Sequence, residues 1–461
     1  MNIRSILVAN RGEIAVRIIK AAKALGIRTV QVHSTADADM LAVKLADEAV
    51  NIGPPSAAKS YLNIDAVISA AKAAGVDAVH PGYGFLSENA DFADAVETAG
   101  LIFIGPRGDA IRLLGDKVAA REVAARAGVP TVPGSAGRIT SLDEARATAE
   151  KTGFPIMIKA AAGGGGRGIR IAETMADLDR QFPQASAEAA AVFGDGGLYL
   201  EKVIAKARHV EVQVLGDGES FVHCFERECS LQRRRQKVWE EAPFALLPAA
   251  VREKLCTSAV AVAREVGYRG AGTVEYLYDE ITQDFYFIEV NTRIQVEHPV
   301  TEMITGIDLV QEMIKVCGGA KLSIAQDDIA ARGHAIECRI NAEDPSRNFM
   351  PAPGRIEALN IPEGDGIRFD TMLYEGYSIP PFYDSLVGKL IVWAESRDAC
   401  IERLKSALEG LVITGIPTTI PLHLALAGDD SVRRGAFHTR FLETWLETEF
   451  AGLSGKIAEV A

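Results

Sequence analysis

Between Ser5 and about residue 113, short β-branched runs alternate with stretches of helical period, and this alternation limits the fold more than any other feature of the chain. The run 5–9 precedes a stretch with Ala15, Ile18, Ile19 and Ala22 on one helical face, and a second run follows at 28–33. Further strands are predicted at 77–80 and 101–104, with a helix near 88–99 between them. Strands separated by helices pair in parallel, because each helix returns the chain across the sheet. Residues 1–113 are therefore expected to form a Rossmann-like α/β layer with helices on both faces. Asn10-Arg11-Gly12-Glu13 stands where a GxGxxG fingerprint would follow the first strand, so no NAD site is expected.

A chain of 461 residues exceeds what one hydrophobic core can organise and is expected to divide into two to four packed units. One boundary falls near Gly115, opening a second region, 114–204, and another falls within it in the Pro-Gly stretch 130–137. Strands around 156–160, 168–172 and 198–202 suggest a small mobile lid at about 131–203 within it. From His209 onward, strands near 209–215, 219–225, 273–278 and 285–291 read as an antiparallel α+β region through 447, followed by a tail at 448–461. One helical stripe, Val310, Met313, Ile314 and Cys317, is closed by Gly318-Gly319.

The net charge of −13, from 62 acids and 49 bases, opposes binding to nucleic acid or an anionic membrane. The first apolar run breaks at Asn10-Arg11, and nowhere is there a stretch of about 20 apolar residues, so a soluble cytoplasmic protein is expected. Cys224, Cys229, Cys256, Cys317, Cys338 and Cys400 form no CxxC pair and are expected to be reduced and buried. Without paired histidine ligands, any metal should be a hard cation held by carboxylates.

Four successive glycines, Gly163 to Gly166, lie between Lys159 and Arg167. Such a loop lets backbone amides approach a polyphosphate, and the flanking cations favour that use over a plain turn. It is not a P-loop, since GxxxxGK[ST] is absent. Two strand-like runs around Glu275 and Glu289 read as a hairpin. If Tyr278 faces Tyr286, Glu275 falls opposite Glu289, with Asn291 two residues along, an oxygen-rich set suited to magnesium.

Downstream, Glu289, Asn291, Arg293, Gln295 and Glu297 occupy alternate positions, and an extended backbone would aim them in one direction as an active-site strand. His209, Glu211 and Gln213 repeat the pattern, and there an outer strand face and a ligand surface remain equally open. The basic run Gln232-Arg233-Arg234-Arg235-Gln236-Lys237 suits either a partner surface or the anions of phosphoryl transfer.

Taken together, these runs resemble the biotin carboxylases of the ATP-grasp ligase superfamily. The likeness extends from Ala9-Asn-Arg-Gly-Glu-Ile-Ala through His80-Pro-Gly-Tyr-Gly-Phe-Leu-Ser-Glu-Asn, the glycine loop and the stretch 289–297 to Arg339-Ile-Asn-Ala-Glu-Asp-Pro. It implies an ATP-grasp fold in which Lys117, Lys159, Gly165, Gly166, Glu201, Lys202, Ile204, His209 and Arg235 bind ATP. Glu275, Glu289 and Asn291 would hold magnesium or manganese. Lys237, Arg293, Gln295, Val296 and Glu297 would form the bicarbonate pocket, and Tyr83 and Arg339 would contact the biotin ureido ring.

The implied reaction forms carboxyphosphate from bicarbonate and ATP. Glu297 would act as base, Arg293 and Lys237 would hold developing charge, and Arg339 would stabilise the biotin enolate. Such an enzyme performs the first half-reaction of acetyl-CoA carboxylase or a related carboxylase, as in fatty acid biosynthesis. No biotin-accepting Met-Lys-Met segment occurs, so biotin is expected in trans on a biotin carboxyl carrier protein, with a separate carboxyltransferase subunit. The family is commonly homodimeric. Arg235 departs from its usual histidine, and Ala162 stands where a further glycine is common. Another ATP-grasp ligase would not need the set from Arg293 to Glu297, and a non-catalytic ATP sensor would be favoured only if a metal or base residue were missing.

Overall fold

The computed structural model describes residues 2–161 and 169–450. By compactness the chain separates into one unit of Met1–Gly128, Arg208–Tyr276 and Glu289–Ala461, and a second of Val129–Ala207 with Leu277–Ile288.

In the first unit, β1 (Ser5–Val8), β2 (Arg28–Ser34), β3 (Glu48–Gly53), β4 (Ala78–His80) and β5 (Ile102–Phe103) form a parallel sheet in the order β3-β2-β1-β4-β5. Every residue of β1 is buried, as suits a central strand covered on both faces. The helix Gly12–Ala24 buries Ala15, Ile18, Ile19 and Ala22, but also Glu13 and Arg17. Gly12 opens it at a φ of 72°, a left-handed conformation that explains the glycine of Asn-Arg-Gly-Glu.

The second sheet has eight strands. They are β9 (Ala207–Asp217), β10 (Phe221–Arg233), β11 (Gln236–Ala242), β12 (Arg269–Asp279), β13 (Phe285–Asn291), β14 (His334–Asn341), β15 (Ile367–Thr371) and β16 (Leu386–Ala394). Their order is β13-β12-β9-β10-β11-β14-β16-β15, and the pairs from β9 to β15 are antiparallel. One apolar core includes Ile6, Ile18, Ile314, Ile336, Leu390 and Leu404, so the two sheets of this unit share it. All six cysteines are free and buried, within strands or helices of this unit.

The second unit contains a three-stranded antiparallel sheet, β7-β6-β8, made of β6 (Ile156–Ala160), β7 (Arg170–Ala172) and β8 (Leu198–Lys202). Ile156, Ile158, Leu198 and Leu200 pack with Ala145, Ala149, Leu178 and Phe182 of the helices Leu142–Thr152 and Met175–Phe193. Ser141 and Thr174 cap those helices by accepting from the Glu144 and Asp177 amides. Alternation along β6 turns Lys159 away from this core, where its ammonium pairs with Glu201. Gly165 and Gly166 lie outside the described residues. Among the described residues, no helix is long and apolar enough to cross a membrane.

Candidate active site

The site begins with a charged strand face. On β9 the alternation places Glu211 and Gln213 inward, both with 0% exposure, opposite the equally buried Arg227 of β10. Arg227 donates to Glu211 Oε1 at 2.6 Å, Gln213 Oε1 at 2.7 Å, and the hydroxyls of Thr273 and Thr301 at 3.0 Å. A buried guanidinium with its donors so satisfied fixes the carboxylate it grips. The other oxygen of Glu211 accepts from Lys237 of β11, whose ammonium also reaches Glu275 Oε1 at 3.0 Å and Glu297 Oε1 at 2.6 Å. Burial disfavours the charge on Lys237, but Glu211, Glu275 and Glu297 together raise its pKa well above the ordinary value.

Glu275 of β12 gathers the next layer. Its Oε1 accepts from Asn291 Nδ2 at 2.9 Å and Gln295 Nε2 at 3.1 Å, while Oε2 lies 3.2 Å from His209 Nε2. Burial opposes ionisation of Glu275, yet Lys237 and His209 hold it well below the usual carboxylate range. Burial likewise works against a charged His209, but Glu275 wins and its pKa is pushed up to about 9. Glu289 is shifted the other way, raised by burial and by the charge of Glu275. Lys117, exposed at the start of the helix Lys117–Arg126, offsets only part of this.

Repulsion from Glu275 helps to raise Glu289, while Lys237 and His209 already offset the charge of Glu275; with Asn291 the two carboxylates supply hard oxygens that would hold a divalent cation. Among the described residues, potential metal ligands also cluster at His209, Glu211 and Glu275 and at Glu211, Cys229 and Glu297. Lys237 bonds to all three glutamates of those groups.

The strand expected to continue to Glu297 ends at Asn291, and the period-two argument fails there. Residues 292–297 turn instead, and Glu297 is the N-cap of the helix His298–Thr305, which carries Pro299 in its first turn. The side chains still converge through hydrogen bonds. Arg293 donates to Asn291 Oδ1 at 3.1 Å, Gln295 Oε1 at 3.3 Å and Glu88 Oε2 at 2.9 Å. The Thr292 amide also binds Glu88, which thereby holds the turn by two anchors.

Glu297 has 0% exposure and sits between two cations, with Lys237 at one oxygen and Arg339 of β14 at the other, 2.9 Å away. Burial opposes its charge, but Lys237 and Arg339 keep its pKa below the ordinary value. Arg339 is itself held by Glu240, whose Oε1 accepts from Nε at 2.6 Å. Burial pushes Glu240 up to about 7 despite that guanidinium.

Lys202 donates to the Phe154 carbonyl at 2.8 Å in the second unit, where Ile204 is half-buried. The Val296 carbonyl accepts from Lys389 at 2.7 Å. Tyr83 donates its hydroxyl to Glu13. Arg235 is exposed in the β10–β11 turn, where Arg234 and Arg235 adopt φ of 49° and 65°. Sequence reasoning left Glu211 undecided and passed over Arg227, Glu240, Glu88, Glu13 and Lys389. For Glu211 the signal was its odd-numbered place beside His209, and for Lys389 a charge within the apolar run Leu386–Ala394.

Comparison with known proteins places families along nearly the whole chain. Residues 2–111 match the family described as "Biotin carboxylase, N-terminal domain", 116–325 "Carbamoyl-phosphate synthase L chain, ATP binding domain", and 337–444 "Biotin carboxylase C-terminal domain". The chain is 53% identical over 444 residues to biotin carboxylase 1 of Bacillus subtilis, covering 96% of this chain and 99% of that protein. It resembles the Campylobacter jejuni biotin carboxylase–βγ-ATP complex with a TM-score of 0.90 at 47% identity, over 96% of this chain and 99% of that one. It also resembles the biotin carboxylase domain dimer of Hydrogenobacter thermophilus 2-oxoglutarate carboxylase, solved with MgADP, ADP and bicarbonate, with a TM-score of 0.88 at 48% identity, over 96% and 98%.

Proposed function

The chain belongs to the biotin carboxylase family and carries out ATP-dependent carboxylation of biotin, and from that premise we propose how its residues divide the work. Bicarbonate enters beside Lys237, Arg293, Gln295 and the Val296 backbone and attacks the γ-phosphorus of ATP. Glu297 takes its proton, and carboxyphosphate and ADP form. Carboxyphosphate then breaks down to CO₂ and phosphate, the released phosphate takes the proton from biotin N1, and the deprotonated N1 captures the CO₂. Arg339 holds the negative charge that deprotonation moves onto the ureido oxygen, with Tyr83 beside the ring.

The observation that supports this reading best is the position of Glu297 between Lys237 and Arg339. Two cations keep this carboxylate ionised, so it is unprotonated when bicarbonate arrives, and the same cations suit the anions that would form there. ATP would be held by Lys117, Lys159, Gly165, Gly166, Glu201, Lys202, Ile204, His209 and Arg235. Magnesium or manganese bound by Glu275, Glu289 and Asn291 would neutralise phosphate charge. Biotin arrives on a biotin carboxyl carrier protein, and a carboxyltransferase subunit completes an acetyl-CoA or related carboxylase reaction in the cytoplasm. The working state is a homodimer.

The test is ATP turnover in CO₂-free buffer, with and without added bicarbonate and free biotin. Turnover that depends on bicarbonate and yields carboxybiotin is expected. Turnover indifferent to bicarbonate would point to another ATP-grasp ligase. Capture of the biotinylated protein that co-purifies with the chain identifies the acyl acceptor's enzyme.

A further inference from the structure

A cavity of about 320 Å³ is lined by Asn10, Arg11, Glu13, Tyr83, Tyr383 and Asp384 among others. Within its lining the Tyr83 hydroxyl donates to Glu13 Oε1, and that same oxygen lies 3.1 Å from Lys389 Nζ. Glu13 is only 2% exposed and Lys389 not at all. The ammonium of Lys389 donates to the Val296 carbonyl at 2.7 Å, in the peptide that precedes Glu297. Residues from four distant parts of the sequence thus form an unbroken polar line from the cavity to the turn that carries Glu297.

Burying a lysine completely is unfavourable unless its charge and donors are used, and an apolar residue would pack the middle of β16 without that cost. Here the ammonium makes an ion pair at one end and a backbone hydrogen bond at the other. The backbone contact is informative because it fixes a main-chain position in a turn, something apolar packing does less directionally.

We infer that Lys389 is a positioning residue for the bicarbonate-handling turn, tied through Glu13 to Tyr83, so that occupancy of the Tyr83 cavity changes how Val296 and Glu297 are held. The inference rests on the roles proposed above for Tyr83 and the 293–297 turn. It gives the biotin end of the site a physical connection to the bicarbonate end.

The experiment follows ATP cleavage by the full chain while bicarbonate is titrated in CO₂-free buffer, with and without free biotin, for wild type, Lys389→Met and Glu13→Gln. Methionine keeps the length of the lysine stem and removes its charge and donors. Folding is checked by thermal melting. Lys389→Met is expected to fold and to raise the bicarbonate KM about tenfold or more with the ATP KM unchanged, and to lose most of the acceleration by biotin. Glu13→Gln, which keeps the shape but weakens the hold on Lys389, should raise the bicarbonate KM about threefold and reduce that acceleration. A folded Lys389→Met with wild-type bicarbonate KM and full acceleration overturns the inference. Should that variant not fold, wild-type behaviour of Glu13→Gln overturns it instead. Wild-type ATP cleavage that ignores bicarbonate would remove the functional reading itself, an outcome the variants cannot produce.

Discussion

Arg339 and Glu297 meet at 2.9 Å. The arginine proposed to face biotin thus also grips the proposed bicarbonate base, so bicarbonate activation and carboxyl transfer to biotin would share a hydrogen bond. Glu343, a sequence neighbour that could have neutralised Arg339, accepts instead from Asn341 and Ser385.

Arg339→Ser is therefore expected to affect both activities unequally. Carboxybiotin formation should fall about a hundredfold or more, the loss of one charge-assisted donor at a developing oxyanion. Biotin-independent ATP cleavage should fall only severalfold, because Lys237 still holds Glu297. Parallel assays of ATP cleavage and carboxybiotin, with a thermal melt, check this. Equal loss of both with a lowered melting temperature would make Arg339 a structural residue.

Lys237→Met should move the acid limb of the pH–rate profile. Lys237 is the main charge holding the Glu297 carboxyl down against burial. Without it, burial and the neighbouring Glu211 raise that pKa, so the base is lost at higher pH as the solution is acidified. An upward displacement of about one to two pH units in ATP cleavage is expected. An unmoved limb would assign it to another group.

Glu289→Gln removes a charge from the oxygen set that fits a cation. Half-saturation by magnesium should require about tenfold more metal or greater, with ATP turnover reduced accordingly. Metal titration of turnover, together with direct binding by calorimetry, measures both. Unchanged metal dependence would remove Glu289 from the ligand set.

Glu241→Gln tests stability away from the chemistry. Glu241 accepts from Trp239 at 2.9 Å, His334 at 3.0 Å, and Arg397 at 2.7 and 2.8 Å. Burial opposes its charge, but Arg397 and His334 depress its pKa. Its contribution is full above the unfolded carboxylate pKa and disappears as pH falls towards the lower folded value. The variant should lose about 3 kcal/mol or more at pH 7, a deficit that shrinks below about pH 4. A deficit independent of pH would mean the charge is not what matters.

Arg235→Gly separates stability from nucleotide binding. Arg235 holds a φ of 65° that glycine adopts freely, so the melt should rise by the equivalent of about 1 kcal/mol. If its guanidinium meets ATP, the ATP KM should rise about threefold to tenfold at the same time. A stabilised protein with unchanged ATP KM would make Arg235 a turn residue alone.

Four strands of the parallel sheet were legible because they are short apolar runs separated by helices, a pattern with few topological solutions, whereas β3, a mostly exposed edge strand, was not. Asn291 and Glu275 were legible as partners because period two survives to the end of β13. Beyond Asn291 the same odd-numbered spacing misled, since residues in a turn can converge without sharing a strand face. Glu13 and Arg17 interrupt an otherwise apolar helix face, and Lys389 interrupts an apolar strand. Their partners lie far along the chain, so no local pattern could name them. Arg227 and Glu240 owe their roles to neighbours across the sheet, and register is what a single strand does not encode.

The placement of the cysteines gives the protein an internal clock. Every thiol is buried in the larger unit, and the segments 129–207 and 277–288 contain none. A thiol-reactive dye added to the native enzyme should therefore label slowly, at a rate set by opening of that unit. Movements confined to the smaller unit leave the signal silent, so labelling with and without nucleotide distinguishes tightening of the main body from any change in its companion.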